Sequence, residues 1–215
     1  MNIGNRTADI NFVHVVGKVS ASLEESHTQK DKLFMKTTIT VPRLSDAEDR
    51  IPVIIDSAML KGYENVDLKK LFIEVNGRFC SFANYDDKGK SVERYVFVSE
   101  LNLSENENDL ECPVGTNEIL LEGEIKYNPI YRRTPNGRII SEFTVACSRK
   151  KNQDRVPCVA WGSDAMEIAD LGKRTRVQLE GRIQSRDYSK TTNGKETKKT
   201  FYEVSVRNHR VVATR

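Results

Sequence analysis

An internal repeat limits this chain more than any other feature. Asn11-Phe12-Val13-His14-Val15-Val16-Gly17 and Asn117-Glu118-Ile119-Leu120-Leu121-Glu122-Gly123 share the frame Asn-x-apolar-x-apolar-x-Gly, with Asn117 standing 106 positions after Asn11. Further matches follow in the same order. Lys36–Arg43 lies against Glu142–Arg149, Asp49–Val53 against Asp154–Cys158, and Phe72–Arg78 against Arg176–Arg182. A period of about a hundred residues is too long for a solenoid unit and has the size of a domain. The sequence predicts a tandem: a first domain over 1–103, an acidic linker over 104–116 and a second domain over 117–215.

Charge separates the two copies. Residues 1–103 hold 14 Lys/Arg against 15 Asp/Glu, residues 104–116 hold four acids and no base, and residues 117–215 hold 20 Lys/Arg against 12 Asp/Glu. The overall +3 is therefore the sum of a near-neutral copy at −1, an acidic segment at −4 and a basic copy at +8. This asymmetry predicts polyanion binding concentrated in the second copy. No apolar run reaches the ~20 residues that span a bilayer, and no leader-like segment opens the chain, so a cytoplasmic protein is expected. Cys80, Cys112, Cys147 and Cys158 form no CxxC pair, and only His14, His27 and His209 could join them. Free thiols and no metal site are expected.

Strands dominate the pattern. In the second copy, 119–125 is an apolar run interrupted by Gly123, and Thr134-Pro135-Asn136-Gly137 is a turn. The stretch 138–147 alternates apolar and polar residues, and 156–161 is a third strand with Pro157 near its start. A helix capped by Ser163 or Asp164 is expected to run to Leu171, with Gly172 as its left-handed terminator. Strands over 175–181 and 200–206 follow. The first copy repeats this order less clearly, with strands near 12–19, 33–41, 51–55, 72–79 and 94–101 and a helical stretch between Ser57 and Leu71. Three strands, a short helix and two more strands is the order of an OB fold. The fold class read here is therefore all-β: two tandem OB folds, five-stranded Greek-key barrels with a short helix between strands 3 and 4.

The second copy resembles the DNA-binding domain of bacterial single-stranded DNA-binding (SSB) proteins. The resemblance rests on Asn117, Pro129, Arg132-Arg133, Pro135-Asn136-Gly137 and Phe143-Thr144-Val145-Ala146. It continues through Ala160-Trp161-Gly162, Leu179-Glu180-Gly181-Arg182, Arg186, Tyr188, Asn193-Gly194 and Glu203-Val204. It implies sequence-tolerant binding of single-stranded DNA in replication, recombination or repair, with RNA left open because stacking does not require a deoxyribose. The family's glycine- and proline-rich tail with an acidic tip is not found at this chain's end, so replication or repair partners are not expected to be recruited through one. Two OB folds per chain imply, by analogy with the family's four-domain assemblies, a homodimer. In the first copy, Ile55-Asp56-Ser57 stands where Trp161-Gly162 would fall, which implies an assembly role or weak binding.

The expected binding set combines rings and cations. Trp161 and Tyr188 are the stacking candidates, with Tyr127 and Tyr131 interleaved among the cations. Phosphate contacts are expected from Arg132, Arg133 and Arg138 at the first hairpin, from Arg149, Lys150, Lys151 and Arg155 at the next loop, and from Arg182, Arg186, Lys190 and Lys195 at the last. Phe143 is expected in the core. No catalytic motif and no cofactor are expected. An OB-fold nuclease using Glu122 and Glu124 is the enzyme alternative, and a primosome-like accessory protein acting through protein partners is the binding alternative.

Overall fold

The computed structural model describes residues 9–86, 89–149, 152–192 and 195–212, with side chains except those within 84–90 and 190–197. The chain divides into two compact units that interleave along the sequence. One takes in Val13–Glu118 with Ile183–Glu203; the other takes in Ile119–Arg182 with Val204–Arg215 and the chain up to Phe12.

The unit built on Val13–Glu118 contains β1 (Asn11–Val19), β2 (Glu24–Gln29), β3 (Lys32–Pro42), β4 (Glu48–Asp56), β5 (Phe72–Asp86) and β6 (Gly89–Ser104). β1 pairs antiparallel with both β5 and β3, β3 with β4, β4 in parallel with β6, and β6 with β5. The ladder therefore closes in the order β1-β3-β4-β6-β5, a five-stranded Greek-key barrel. Alternation places Val13, Val15, Ile39, Ile51, Val53, Val75, Phe79 and Val96 inside, each nearly inaccessible. The expected helical stretch between Ser57 and Leu71 is two 3-10 helices, Ser57–Leu60 and Leu68–Lys70, each capped by an aspartate (Asp56 and Asp67). Gly62, in the left-handed region at φ 97°, lies between them and breaks the helical run.

The second unit repeats the plan with β7 (Asn117–Ile125), β8 (Ile130–Arg133), β9 (Ile139–Ser148), β10 (Gln153–Trp161), α1 (Gly162–Ala169), β11 (Arg176–Thr192) and β12 (Lys195–Val211). The closing order is β7-β9-β10-β12-β11, again with a parallel β10–β12 step. Leu121, Ile125, Phe143, Val145, Val156, Val177, Leu179 and Val204 fill it, together with Ala165 and Ile168 from α1. Phe143 is a core residue, as its alternation with Val145 predicts.

Two local expectations need correction. Neither Ser163 nor Asp164 caps α1: the cap position is Trp161, with no side-chain hydrogen bond. The Asp164 carboxylate instead faces His209 Nδ1 at 2.9 Å. The left-handed residue after the helix is Arg174 (φ 74°), not Gly172. Asn128 Oδ1 accepts from the Lys173 amide at 2.9 Å, and the Arg174 amide donates to Ile125, so loop contacts rather than a glycine turn the chain.

The repeated frame has a physical basis. At Gly17 an added Cβ would lie 2.4 Å from the Thr40 carbonyl oxygen, and at Gly123 it would lie 2.5 Å from that of Ala146. These are the points where strand 1 of each barrel bends across strand 2, and only a residue without a side chain fits. Asn117 is buried, and its amide makes a two-way bond with the Ile183 backbone: Nδ2 donates to the carbonyl at 2.7 Å and Oδ1 accepts from N–H at 2.9 Å. A side chain thus takes the place of a ladder partner. Among the described residues, no helix is long and apolar enough to cross a membrane.

Candidate nucleic-acid interface

The Thr134–Gly137 turn brings β8 onto β9. Gly137 N–H donates to Thr134 O at 2.8 Å, and Gly137 takes φ 76°, so the Pro-Asn-Gly sequence makes the turn its residues favour. Arg132 then faces Ile140 on β9, and Ile140 faces Trp161 on β10. Residues directly opposite in an antiparallel pair share a face, so Arg132, Ile140 and Trp161 form a row across the outside of the barrel. Ile130, Glu142 and Val159 form the next row, and Arg155 opposite Ala146 lies further along the same face.

Trp161 is 36% exposed and Ile130 56%. Directly after the indole, Gly162 has φ 60°, and a Cβ there would meet nothing within 4 Å. The left-handed φ at this position, which glycine adopts without strain, lets the chain turn directly from β10 into α1. Arg132 pairs with Glu142 at 2.5 Å, both partly exposed. Such a surface pair contributes only about 0–1 kcal/mol, so a phosphate can compete for the guanidinium.

Other expected residues are placed differently. Tyr131 and Arg133 face Ser141 and Ile139, on the opposite side of β8 from Arg132. That side faces α1, because the Ser141 hydroxyl donates to Ala165 O at 2.6 Å. Tyr127, in the β7–β8 connection, and Arg138, after the turn, are exposed. Arg149 is held at 3.1 Å by Asp154, a fully buried carboxylate. The equivalent residues of the other unit, Arg43 and the buried Asp49, form the same pair, with Nε to Oδ2 at 2.9 Å. Lys150 and Lys151 lie outside the described residues, and Lys190 and Lys195 have backbones in β11 and β12 but side chains outside the description. Arg182 is half-buried on β11.

Arg186 and Tyr188 lie on the 183–203 hairpin, within the unit built on Val13–Glu118. Arg186 is 3.7 Å from Glu203 and 5.8 Å from the Phe201 ring centroid. Arg94 from β6 lies over the same ring at 4.9 Å. The sequence leaves open which of the adjacent Phe201 and Tyr202 faces a ligand, and nothing in it points to Arg94, which lies 107 positions before Phe201. Burial pulls the Arg94 guanidinium's pKa down, offset in part by Glu203 and Tyr188. Its Nε has no hydrogen-bond partner among the described residues. The hairpin is fastened at its edge: Ser185 N–H donates to Asp49, the Arg50 amide donates to Ser185 Oγ, and Arg50 pairs with Asp187 at 2.5 Å. The Thr200 hydroxyl, then Arg50, hold the Asp187 carboxyl below its ordinary range.

In this unit the row equivalent to Arg132–Ile140–Trp161 is His27–Phe34–Asp56, read from the registers of β2, β3 and β4. His27 stacks on Phe34 with centroids 4.9 Å apart. Asp56 occupies the tryptophan position, bonded to Lys32 Nζ at 2.9 Å and capping a 3-10 helix. The Lys32 ammonium, then the Ala58 amide, hold its carboxyl below the usual value. Phe82 on β5 is exposed.

Glu122 and Glu124 surround Arg176 at 3.0 and 3.9 Å, and Asp9 approaches it at 2.8 Å. The carboxylates considered for a nuclease are thus arranged around an arginine. Although the sequence lacks metal-ligand spacing, the fold gathers His14, Glu74 and Cys112, with ligand atoms within 4.8 Å of one another.

Barrel, row and basic surface together define the class: an OB fold with an aromatic–cationic outer face. Residues 116–212 match the model of the single-strand binding protein family. A single-stranded DNA-binding protein of Halalkalibacterium halodurans is 34% identical over 80 residues, which are 34% of this chain and 48% of that protein. Single-stranded DNA-binding protein A of Bacillus subtilis is 32% identical over 80 residues, 34% of this chain and 46% of that protein. The chain thus matches about half the length of these relatives. The wild-type single-stranded DNA binding protein from Thermus aquaticus shares the fold, with a TM-score of 0.74 at 16% identity over 97% of this chain and 95% of that one. A deletion mutant of the same protein also gives 0.74, at 17% identity and 97% of both chains.

Proposed function

We propose that this protein is a tandem OB-fold member of the single-strand binding family. It binds single-stranded DNA with little sequence preference and protects or organises it during replication, recombination or repair in the cytoplasm. The observation that carries this reading is the Arg132–Ile140–Trp161 row, with Arg132 and Trp161 exposed on either side of a buried Ile140, lying within the residues that match the family model. A ring beside a recruitable cation suits an unpaired base and its phosphate, and stacking of this kind contributes about 1–3 kcal/mol per base. A duplex, whose bases already stack on each other, offers no face to the indole.

On this reading Trp161 and Tyr188 stack bases. Tyr127, Tyr131, Arg132, Arg133, Arg138, Lys150, Lys151, Arg155, Arg182, Arg186, Lys190 and Lys195 supply the surrounding contacts, while Arg149, expected among them, is engaged with the buried Asp154. The OB domain at 117–215 carries most of the affinity. The domain at 1–103, joined to it by the acidic segment 104–116, serves mainly in assembly, since its row ends in Asp56 instead of tryptophan. Two chains form a homodimer with four OB domains. The test is competition on full-length protein: unlabelled single strands of unrelated sequence displace a labelled oligo-dT equally well, while duplex of the same length does not. Equal displacement by duplex overturns the reading. No binding of bare oligo-dT at low salt overturns it in favour of a protein partner.

A further inference from the structure

His14 on β1 and Glu74 on β5 meet on the outside of the barrel, His14 Nε2 lying 2.8 Å from Glu74 Oε1. They are diagonal neighbours in the ladder, since Glu74 faces Val16 and His14 faces Asn76. The segment between β6 and β7 is bound to this same face. Gly115 N–H donates to Val16 O at 3.1 Å, Val16 N–H donates to Thr116 O at 2.9 Å, and Glu111 N–H donates to Glu74 Oε2 at 2.9 Å. These bonds carry Cys112 over the pair, and the imidazole, carboxylate and thiol atoms all come within 4.8 Å of one another. All three residues belong to the compact unit built on Val13–Glu118.

We propose that His14, Glu74 and Cys112 form a binding site for a zinc-class divalent cation. The donor set is one nitrogen, one carboxylate oxygen and one sulfur, which suits a borderline ion such as Zn2+. Mg2+ and Ca2+ prefer shells of oxygen. Bonds of about 2.0–2.3 Å to a tetrahedral ion separate the ligand atoms by roughly 3.3–3.6 Å. Reaching that shell opens the imidazole–carboxylate contact by about half an ångström and draws the thiolate inward, both within side-chain rotation. The Glu111 amide already holds the other carboxylate oxygen, the kind of outer bond that orients a metal ligand. Cys112 is the half-exposed thiol of the four, while Cys80, Cys147 and Cys158 are buried, so an ion can reach this thiol from solvent. The neighbouring acids Glu105, Glu107, Asp109 and Glu111 raise the local cation concentration. Three protein ligands leave a fourth position for water. Bound metal would staple the segment that follows β6 to β1 and β5.

The test uses the full-length chain without DNA, so its outcome is independent of the proposed function. Titration with Co2+ is expected to produce the near-ultraviolet thiolate-to-cobalt band and tetrahedral visible bands, saturating at one ion per chain and bleached by Zn2+. In Cys112→Ser the thiolate band disappears and Zn2+ affinity falls at least tenfold, with the fold intact by circular dichroism. His14→Gln and Glu74→Gln each weaken Zn2+ at least tenfold. Zn2+ also slows modification of Cys112 by a disulfide reagent at least tenfold in the wild type. Absence of the thiolate band in folded wild-type protein overturns the site, as does its survival in Cys112→Ser.

Discussion

Trp161 ends β10 with its ring exposed, and Gly162 after it takes the left-handed φ of 60° that starts α1. Trp161→Ala should therefore weaken oligo-dT binding by about 1–3 kcal/mol, roughly 5–150-fold, with little change in melting temperature. Fluorescence anisotropy and a thermal scan on the same variant measure both. Arg149 gives the opposite pattern. It pairs with a fully buried aspartate, so Arg149→Ala should cost about 3–5 kcal/mol of folding stability by denaturant unfolding. The sequence exposed Trp161 through its position before a glycine, but it could not separate Arg149 from a phosphate ligand. The pairing is evident only once the β9–β10 hairpin closes. Cys147 supplies a pH dependence. Burial first, then Asp9 and Asp154, push its thiol up to about 12 from 9.0. The folded state thus keeps a proton that the unfolded chain releases, so this contribution to stability is intact below about pH 9 and falls towards pH 12. The slope is about 1.4 kcal/mol per pH unit. Unfolding titrations of wild type and Cys147→Ala should diverge across that window and run parallel below it.

At the scale of elements, the repeat frame was legible because two of its positions are dictated by barrel geometry. Gly123→Ala pushes a Cβ against the Ala146 carbonyl and should destabilise by about 1–3 kcal/mol or more, measured by urea unfolding. Asn117→Ala leaves the Ile183 N–H and C=O unsatisfied in a buried position and should cost about 2–4 kcal/mol in the same assay. The barrel strands were readable because one side of each is buried and alternation follows. β2 and β8 were not, because every residue in both is exposed and no alternation marks them. The end of α1 was misread for a related reason: glycine is the usual terminator, but here the bonds of Asn128 and Ile125 hold Arg174 in the left-handed region.

At the scale of the whole molecule, the interleaving of the compact units is hidden from a linear reading. Residues 183–203 continue the second copy's β11 and β12 yet bond to Asp49 and Arg50 within the unit built on Val13–Glu118. No local pattern announces contacts made more than 130 positions away. The charge asymmetry was legible, and with the Trp161 row it supports a polyanion-binding second copy. The central claim is that Trp161 stacks on unpaired bases while the cations hold phosphates. The most direct measurement is a titration with oligo-dT of increasing length at two salt concentrations, following Trp161 emission and anisotropy together. The account predicts quenching that saturates with binding, and an affinity that falls with salt with a log–log slope of about −0.7 per phosphate contact. Binding that leaves tryptophan emission unchanged, or that ignores salt, would contradict it.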